Sequence, residues 1–219
     1  MLATGSAYPF PAKTEEPDIA SARAQHRAAH DALLAADRAL IVGAGPSGLE
    51  LAGEIKAFFP DKHVTIATAT ADGRELVADI WFRAFGVRAH SEYLDGGALA
   101  DRRDERGYVR VDEHLRVVGE THTFALGDLA DADRDMAGIA NAEARVVAAN
   151  VRSLITGTGE LTSHETSPPM IAIPLGPEGG AGLLGDGVAD AATIAELKGR
   201  HMGTDHFAAL FDTAPPLAA

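Results

Sequence analysis

Residues 39–55 read ALIVGAGPSGLELAGEI, and this stretch decides the fold. Its first four residues are a short apolar run, the composition of a parallel strand buried on both faces. Gly43, Gly45 and Gly48 follow at the G-x-G-x-x-G spacing, and Leu49, Leu51, Ala52 and Ile55 then place an apolar stripe on one face of a helix. Pro46 suits the helix start, where its missing N–H would be unpaired anyway, and Ser47 lies in the same turn. Each glycine has a separate task. Gly43 permits the tight strand-to-helix turn, Gly45 lets a pyrophosphate approach the backbone, and Gly48 lets the helix pack close to the strand. The helix N-terminus supplies free N–H groups and partial positive charge to that pyrophosphate. A glycine-rich turn that binds nothing is the alternative. Strand, spacing and helix together favour a dinucleotide.

The same sequence contains a control. Gly180, Gly182 and Gly185 in PEGGAGLLGDG repeat the spacing, but no clean strand precedes them and no helix follows directly. This second match reads as a turn between strands.

Composition limits the remaining classes. The 219 residues can bury a substantial core in one large or two modest domains. No apolar run approaches bilayer length, and the opening MLATGSAYPFPAK lacks the basic start and apolar core of a secretory signal, so the expected compartment is cytoplasmic. With no cysteine, a disulfide framework and a dithiol redox centre are excluded. The formal charge of −13 disfavours nucleic acid as a partner. RRDER at 102–106 reads as a solvated loop.

Outward from the turn, Pro9, Pro11 and Pro17 mark an extended connection, and residues 20–39 form an alanine-rich helix with Leu33 and Leu34 inside. His26 and His30 share a face of it, more simply as solvated side chains than as metal ligands. A β-branched strand follows at 64–68 and another apolar strand at 76–82. The Asp72-Gly73 pair between them signals either an antiparallel hairpin or a lost crossover. The end of the 64–68 strand offers neither the acidic residue that binds a ribose 2′-OH nor an arginine for a 2′-phosphate, so NADH and NADPH are not distinguished. Short strands are expected at 108–111, 115–118 and 123–126, the last ending in Gly127-Asp128, and a helix at 136–155 with Ile139, Val146, Val147 and Val151 inside. Asp131, Asp133 and Asp135 alternate like a calcium loop, but Met136 and Ala142 occupy its glycine and glutamate positions, so no metal is expected. After Pro168, MIAIPLG, the glycine run and a helix near 193–197 suggest a small α+β tail.

In order, ATGSAYPFPAK, LIVGAGPSGLELAGEIKAFFPDKHVTI, VRVDEHLRVVGETHTFALGDLAD and MAGIANAEARVVAANV resemble landmarks of the pyridine nucleotide-dependent flavoprotein oxidoreductases. The likeness is greatest to the AIF-like, ferroptosis-suppressor branch of NAD(P)H:quinone reductases. The resemblance implies an α/β, Rossmann-like FAD/NAD(P)-binding fold, and FAD and NAD(P)H as cofactors. Thr4 and Gly5 would close the flavin domain, and Gly43, Gly45 and Gly48 would hold the NAD(P)H pyrophosphate. Glu50 would lie toward the nicotinamide as the catalytic candidate. Gly86 would mark the return from the NAD(P)H domain, and Gly127 with Asp128 would meet the flavin's ribityl and phosphate region. Hydride would pass from NAD(P)H through flavin to a quinone-like acceptor, with no side-chain nucleophile or base required.

Relatives carry an earlier glycine turn for FAD, whereas Met1 falls where they already close the flavin domain and the join at 67–73 is short. The expected fold is therefore incomplete, N-terminally truncated and internally shortened. It divides into a flavin-domain remnant and connecting helix at 1–35, a shortened NAD(P)H-binding domain at 36–118, a flavin-domain return at 119–157 and a tail at 158–219. Peripheral membrane contact, known in some relatives, and self-association through sheet edges are the further partner expectations. A non-catalytic nucleotide-binding or interaction remnant is the alternative function.

Overall fold

A computed structural model describes residues 1–68, 75–157, 159–185 and 187–212. In chain order the elements are β1 (Ser6–Ala7), α1 (Ile19–Ala35), β2 (Arg38–Val42), α2 (Pro46–Phe58), β3 (His63–Ala67), β4 (Ile80–Arg83), β5 (Arg88–Ala89), α3 (Ala137–Thr156), β6 (Ile171–Pro174), β7 (Gly180–Leu184), β8 (Gly187–Ala189), α4 (Ala191–Ile194) and α5 (Thr204–Leu210). They fall into two compact units. One combines residues 1–8 with 86–168, and the other 9–85 with 169–219. No helix among the described residues is long and apolar enough to cross a membrane.

The second unit is built on a parallel sheet of order β3-β2-β4. Strand side chains alternate between faces, so Ala39 and Ile41 of β2 share one face with their register partners Ile80 and Phe82 of β4. These residues form a core with Leu33 of α1 and with Ala52 and Ile55 of α2, and Ile41 is fully buried. Asp18 caps α1 by accepting the Ser21 N–H. Leu33 and Leu34 do not both face inward: Leu33 is 8% exposed and Leu34 53%. Neighbours in a helix point about 100° apart, so one stripe holds only one of them.

The parallel β4 removes the hairpin alternative after β3. Asp72 and Gly73 lie outside the described residues, and the strand begins at Ile80 rather than at 76. Residues 68–79 span about the dozen that a parallel return needs. Asp79 fixes the register at the start of β4, where its carboxylate accepts the Arg38 backbone N–H at 2.9 Å and the Arg38 guanidinium at 2.7 Å. The sheet thus gains by burying Ile80 and Phe82 beside β2, which an antiparallel turn would not pair in this register.

The tail adds an antiparallel sheet of order β6-β7-β8 to this unit. Gly180 and Gly182 are strand residues of β7, and of the three repeated glycines only Gly185 (φ 58°) lies in the turn. Their missing side chains make room for fully buried Ile194 of α4: a Cβ on Gly180 would lie 2.5 Å from Ile194 Cγ2, and one on Gly182 2.7 Å from Ile194 Cδ1. This glycine run serves packing.

In the first unit β1 pairs antiparallel with β5, Ser6 opposite Ala89. The strands expected at 108–111, 115–118 and 123–126 contract to single bridges, Val109 with Ala130, Val111 with Val117 and Arg116 with Phe124. Asp112 is the cause, because its Oδ1 accepts the N–H groups of both His114 and Arg116 and turns the chain at once. Val109, Val117, Ala125 and Leu129 form one core, and Leu115, Phe124, Leu126 and Val147 another against α3. Helix α3 ends at Gly157 in the left-handed conformation, a glycine stop. Arg103 of the RRDER segment is not merely solvated: it donates to Ser91 O at 3.0 Å, pairs with Asp95, and its side chain is 18% exposed.

Candidate functional site

The glycine turn sits at the carboxyl end of β2. The chain leaves β2 toward β3 on one side and reaches β4 on the other, so this is the point where strand order reverses and where α/β sheets open a ligand crevice. Backbone bonds fix the turn to both neighbours: Gly43 N–H donates to Ala67 O at 2.8 Å, and Ala84 N–H donates to Val42 O at 2.7 Å.

The three glycines meet three different surroundings. Gly43 has φ 122°, and a Cβ there would lie 2.3 Å from Ala84 O. A Cβ on Gly48 would lie 2.0 Å from Gly43 O, which locks the helix against the strand end. A Cβ added at Gly45 would meet nothing within 4 Å. Gly45 is also the helix N-cap and forms no side-chain cap bond, with Pro46 following in the first turn. Packing therefore demands two of the glycines, while the third faces open space at the end of a helix whose dipole attracts anions. The open helix end at Gly45 suits an anionic group such as a pyrophosphate.

One turn along α2, Glu50 is engaged by the tail: Lys198 Nζ donates to its Oε1 at 2.7 Å, and the Glu50 side chain is 17% exposed. Glu54 follows on the same helix face. Burial, and then the neighbouring Glu50 charge, push its carboxyl up from the usual range, and its buried Oε1 has no hydrogen-bond partner. Lys198 is a residue that sequence reading missed, because no local pattern links positions 148 residues apart.

In the other unit, the Thr4-Gly5-Ser6 segment and the Gly127-Asp128 turn meet. The Ser6 hydroxyl donates to Asp128 Oδ2 at 2.6 Å, which joins the Thr4-Gly5-Ser6 segment to the Gly127–Leu129 turn. Thr4 Oγ1 donates to His90 O at 2.7 Å, and the His90 N–H returns to Gly5 O at 2.9 Å. Gly5 and Gly127 both have φ 68°. Gly86 (φ 90°) is exposed at the start of this unit's second segment. The Asp128 carboxylate can accept hydrogen bonds from hydroxyl groups such as those of a sugar-alcohol chain. A glycine cradle for the flavin's pyrophosphate, of the kind at Gly43–Gly48, does not recur among the described residues.

Helix α3 holds further residues that the sequence reading passed over. Its buried residues are Ile139, Glu143, Val147 and Asn150, so two polar side chains lie in an otherwise apolar stripe. That signal was present at helical spacing. Asn150 is fully satisfied: its Nδ2 donates to His114 O and Thr162 O, and its Oδ1 accepts the Thr162 N–H at 2.7 Å. In the same unit, a cavity of about 350 Å³ is lined by Tyr108, Asp131, Arg134 and Asp135 among others. Tyr108 donates to Asp135 at 2.8 Å, and burial, reinforced by that carboxylate, pushes the phenol up to about 12.

Residues 54–149 match the pyridine nucleotide-disulphide oxidoreductase family, a span that contains Gly86, Gly127 and Asp128. The chain is 27% identical to the FAD-dependent oxidoreductase FVFD30 of Flammulina velutipes, over 84% of this chain and 72% of that protein. It is likewise 27% identical to human ferroptosis suppressor protein 1, over 69% of this chain and 55% of that protein. Among solved structures, an NAD-dependent persulfide reductase from A. fulgidus superposes with a TM-score of 0.53 at 20% identity, over 82% of this chain and 42% of the reductase. The chain thus spans from about half to under three-quarters of these two relatives' length. The fold is the α/β architecture of FAD/NAD(P)-binding oxidoreductases.

Proposed function

Residues 54–149 match the pyridine nucleotide-disulphide oxidoreductase family, and from that likeness we propose that the chain is an NAD(P)H-dependent flavin oxidoreductase with a quinone-like acceptor, working in the cytoplasm. The observation that carries this reading is the division of labour in the glycine turn, where Gly43 and Gly48 are packed shut and Gly45 is open. Gly45, Pro46, Ser47 and Gly48 would hold the NAD(P)H pyrophosphate, and Glu50 would border the nicotinamide. Thr4, Gly5, Gly127 and Asp128 would hold the ribityl and phosphate part of FAD. Bound flavin would supply the chemistry of passing reducing equivalents from NAD(P)H to the acceptor, so the protein need only bind and orient.

Visible absorption spectra of the purified protein, before and after incubation with FAD, test the reading. A flavin band that survives gel filtration and bleaches with NAD(P)H, with quinone restoring it, is the expected result. A second reading, a nucleotide-binding protein without catalysis, is favoured by the Lys198–Glu50 pair, which occupies the carboxylate assigned to the nicotinamide side. Saturable NAD(P)H binding with no retained flavin would select it.

A further inference from the structure

The Gly127–Asp128 turn is tied to the interior of its unit by one carboxylate. Glu143 of α3 is 2% exposed, and its Oε2 accepts the Gly127 N–H at 2.6 Å. Its Oε1 lies 3.8 Å from His164 Nε2, which lies 3.6 Å from Asp133 Oδ2. The His164 and Asp133 side chains are 7% and 1% exposed. Asp133 is itself anchored, its Oδ2 accepting the Ser167 N–H at 2.8 Å and its Oδ1 the Arg134 N–H at 2.7 Å. The His164 backbone is fixed by its N–H to Glu113 O at 2.7 Å. His164 Nε2 makes no hydrogen bond, so the imidazole stands between two carboxylates without being committed to either.

A carboxylate this deep is retained only where hydrogen bonds or a partner charge offset its lost hydration. Burial pushes the Glu143 carboxyl up, and the Gly127 N–H and then His164 oppose that push, while Asp133 and Asp128 add to it. Apolar side chains would suit this stripe of α3 better unless the carboxylate had a task. Gly127 has φ 68°, and the next residue carries the Asp128 carboxylate, so the Gly127 amide is one residue from it and orients the chain that enters Asp128.

We propose that Glu143 is a positioning residue for the flavin-side turn: its carboxylate holds the Gly127 amide, and the His164 ring, set between this carboxylate and Asp133, lines its other oxygen. The proposal rests on the reading of Asp128 as a flavin contact. Two readouts on the whole chain test it, the Gly127 amide by ¹H–¹⁵N NMR without cofactor and FAD affinity by fluorescence titration, in wild type, E143A, E143Q and H164Q. Circular dichroism controls for folding. The Gly127 amide should resonate downfield in wild type, move upfield in E143A and less in E143Q, and shift in H164Q although Glu143 is intact. FAD should bind about tenfold more weakly to E143A and about threefold more weakly to E143Q, as for loss or weakening of one charge-assisted hydrogen bond. An unmoved Gly127 amide, or wild-type FAD affinity in E143A, overturns the proposal. If E143A does not fold, E143Q and H164Q decide in the same way. Failure of wild type to bind FAD overturns the functional reading instead, and the Gly127 amide still decides whether Glu143 positions the turn.

Discussion

Lys198 Nζ lies 2.7 Å from Glu50 Oε1, so a residue of the tail neutralises a carboxylate one turn into the nucleotide helix. Replacing Lys198 with alanine leaves Glu50 beside Glu54 without its cation. The pair is partly exposed, so the stability lost should be small, about 0.5–1 kcal/mol, read as a drop of a few degrees in Tm. Replacing Glu50 with alanine should instead weaken NADH binding by about tenfold with little change in Tm, as expected for one lost polar contact to the ligand. Equal losses of stability and binding in E50A would mark the carboxylate as merely structural.

The glycine turn predicts three unequal alanine variants. G45A should fold normally, because no atom lies within 4 Å of the added Cβ, and should bind NAD(P)H at least tenfold more weakly because the methyl stands where the pyrophosphate approaches. G48A and G43A should lose stability, by about 1–3 kcal/mol or more, as overpacked sites do, since the new Cβ would meet backbone oxygen at 2.0 and 2.3 Å. Thermal melts and nucleotide titration separate the two behaviours, and a destabilised G45A would contradict the assignment.

Asp79 gives a pH signature. The Arg38 side-chain hydrogen bond, and then the Arg38 backbone N–H, hold its carboxyl down from 3.8 to about 2. A depressed carboxylate stabilises the folded chain above its unfolded value and loses that contribution as pH falls through its folded value. Tm measured from about pH 4 down to about pH 2 should therefore fall less steeply in D79N than in wild type. The variant should also be slightly less stable at neutral pH. Parallel pH profiles for the two proteins would show that Asp79 does not couple β2 to β4.

Asn150, fully buried, makes two hydrogen bonds to Thr162 in the segment after α3 and a third to His114 O. N150A strands the Thr162 N–H and two carbonyls, and should cost about 2–4 kcal/mol as a broken buried network. Denaturant unfolding measures this loss. A loss below about 1 kcal/mol would mean that water replaces the amide at no net cost.

Local chemistry made part of this protein legible before any coordinates. A strand, three glycines and a helix over 39–55 specify a tight strand-to-helix turn because their demands are met within a few residues: φ space at Gly43, helix propensity after Pro46, and an apolar stripe ending at Ile55. The Gly127–Asp128 turn and α3 were readable for the same reason. Tertiary structure decided what separate segments do to one another. It made β4 parallel to β2, because the Arg38–Asp79 contact and the shared burial of Ile41 with Phe82 outweigh a local turn signal. It turned the second glycine motif into a seat for Ile194 and brought Lys198 to Glu50. It also set Glu143, His164 and Asp133 together in one buried cluster. Sequence fixes propensities over a few residues, whereas burial and charge pairing across a hundred or more depend on which surfaces meet. Only the folded chain holds that information.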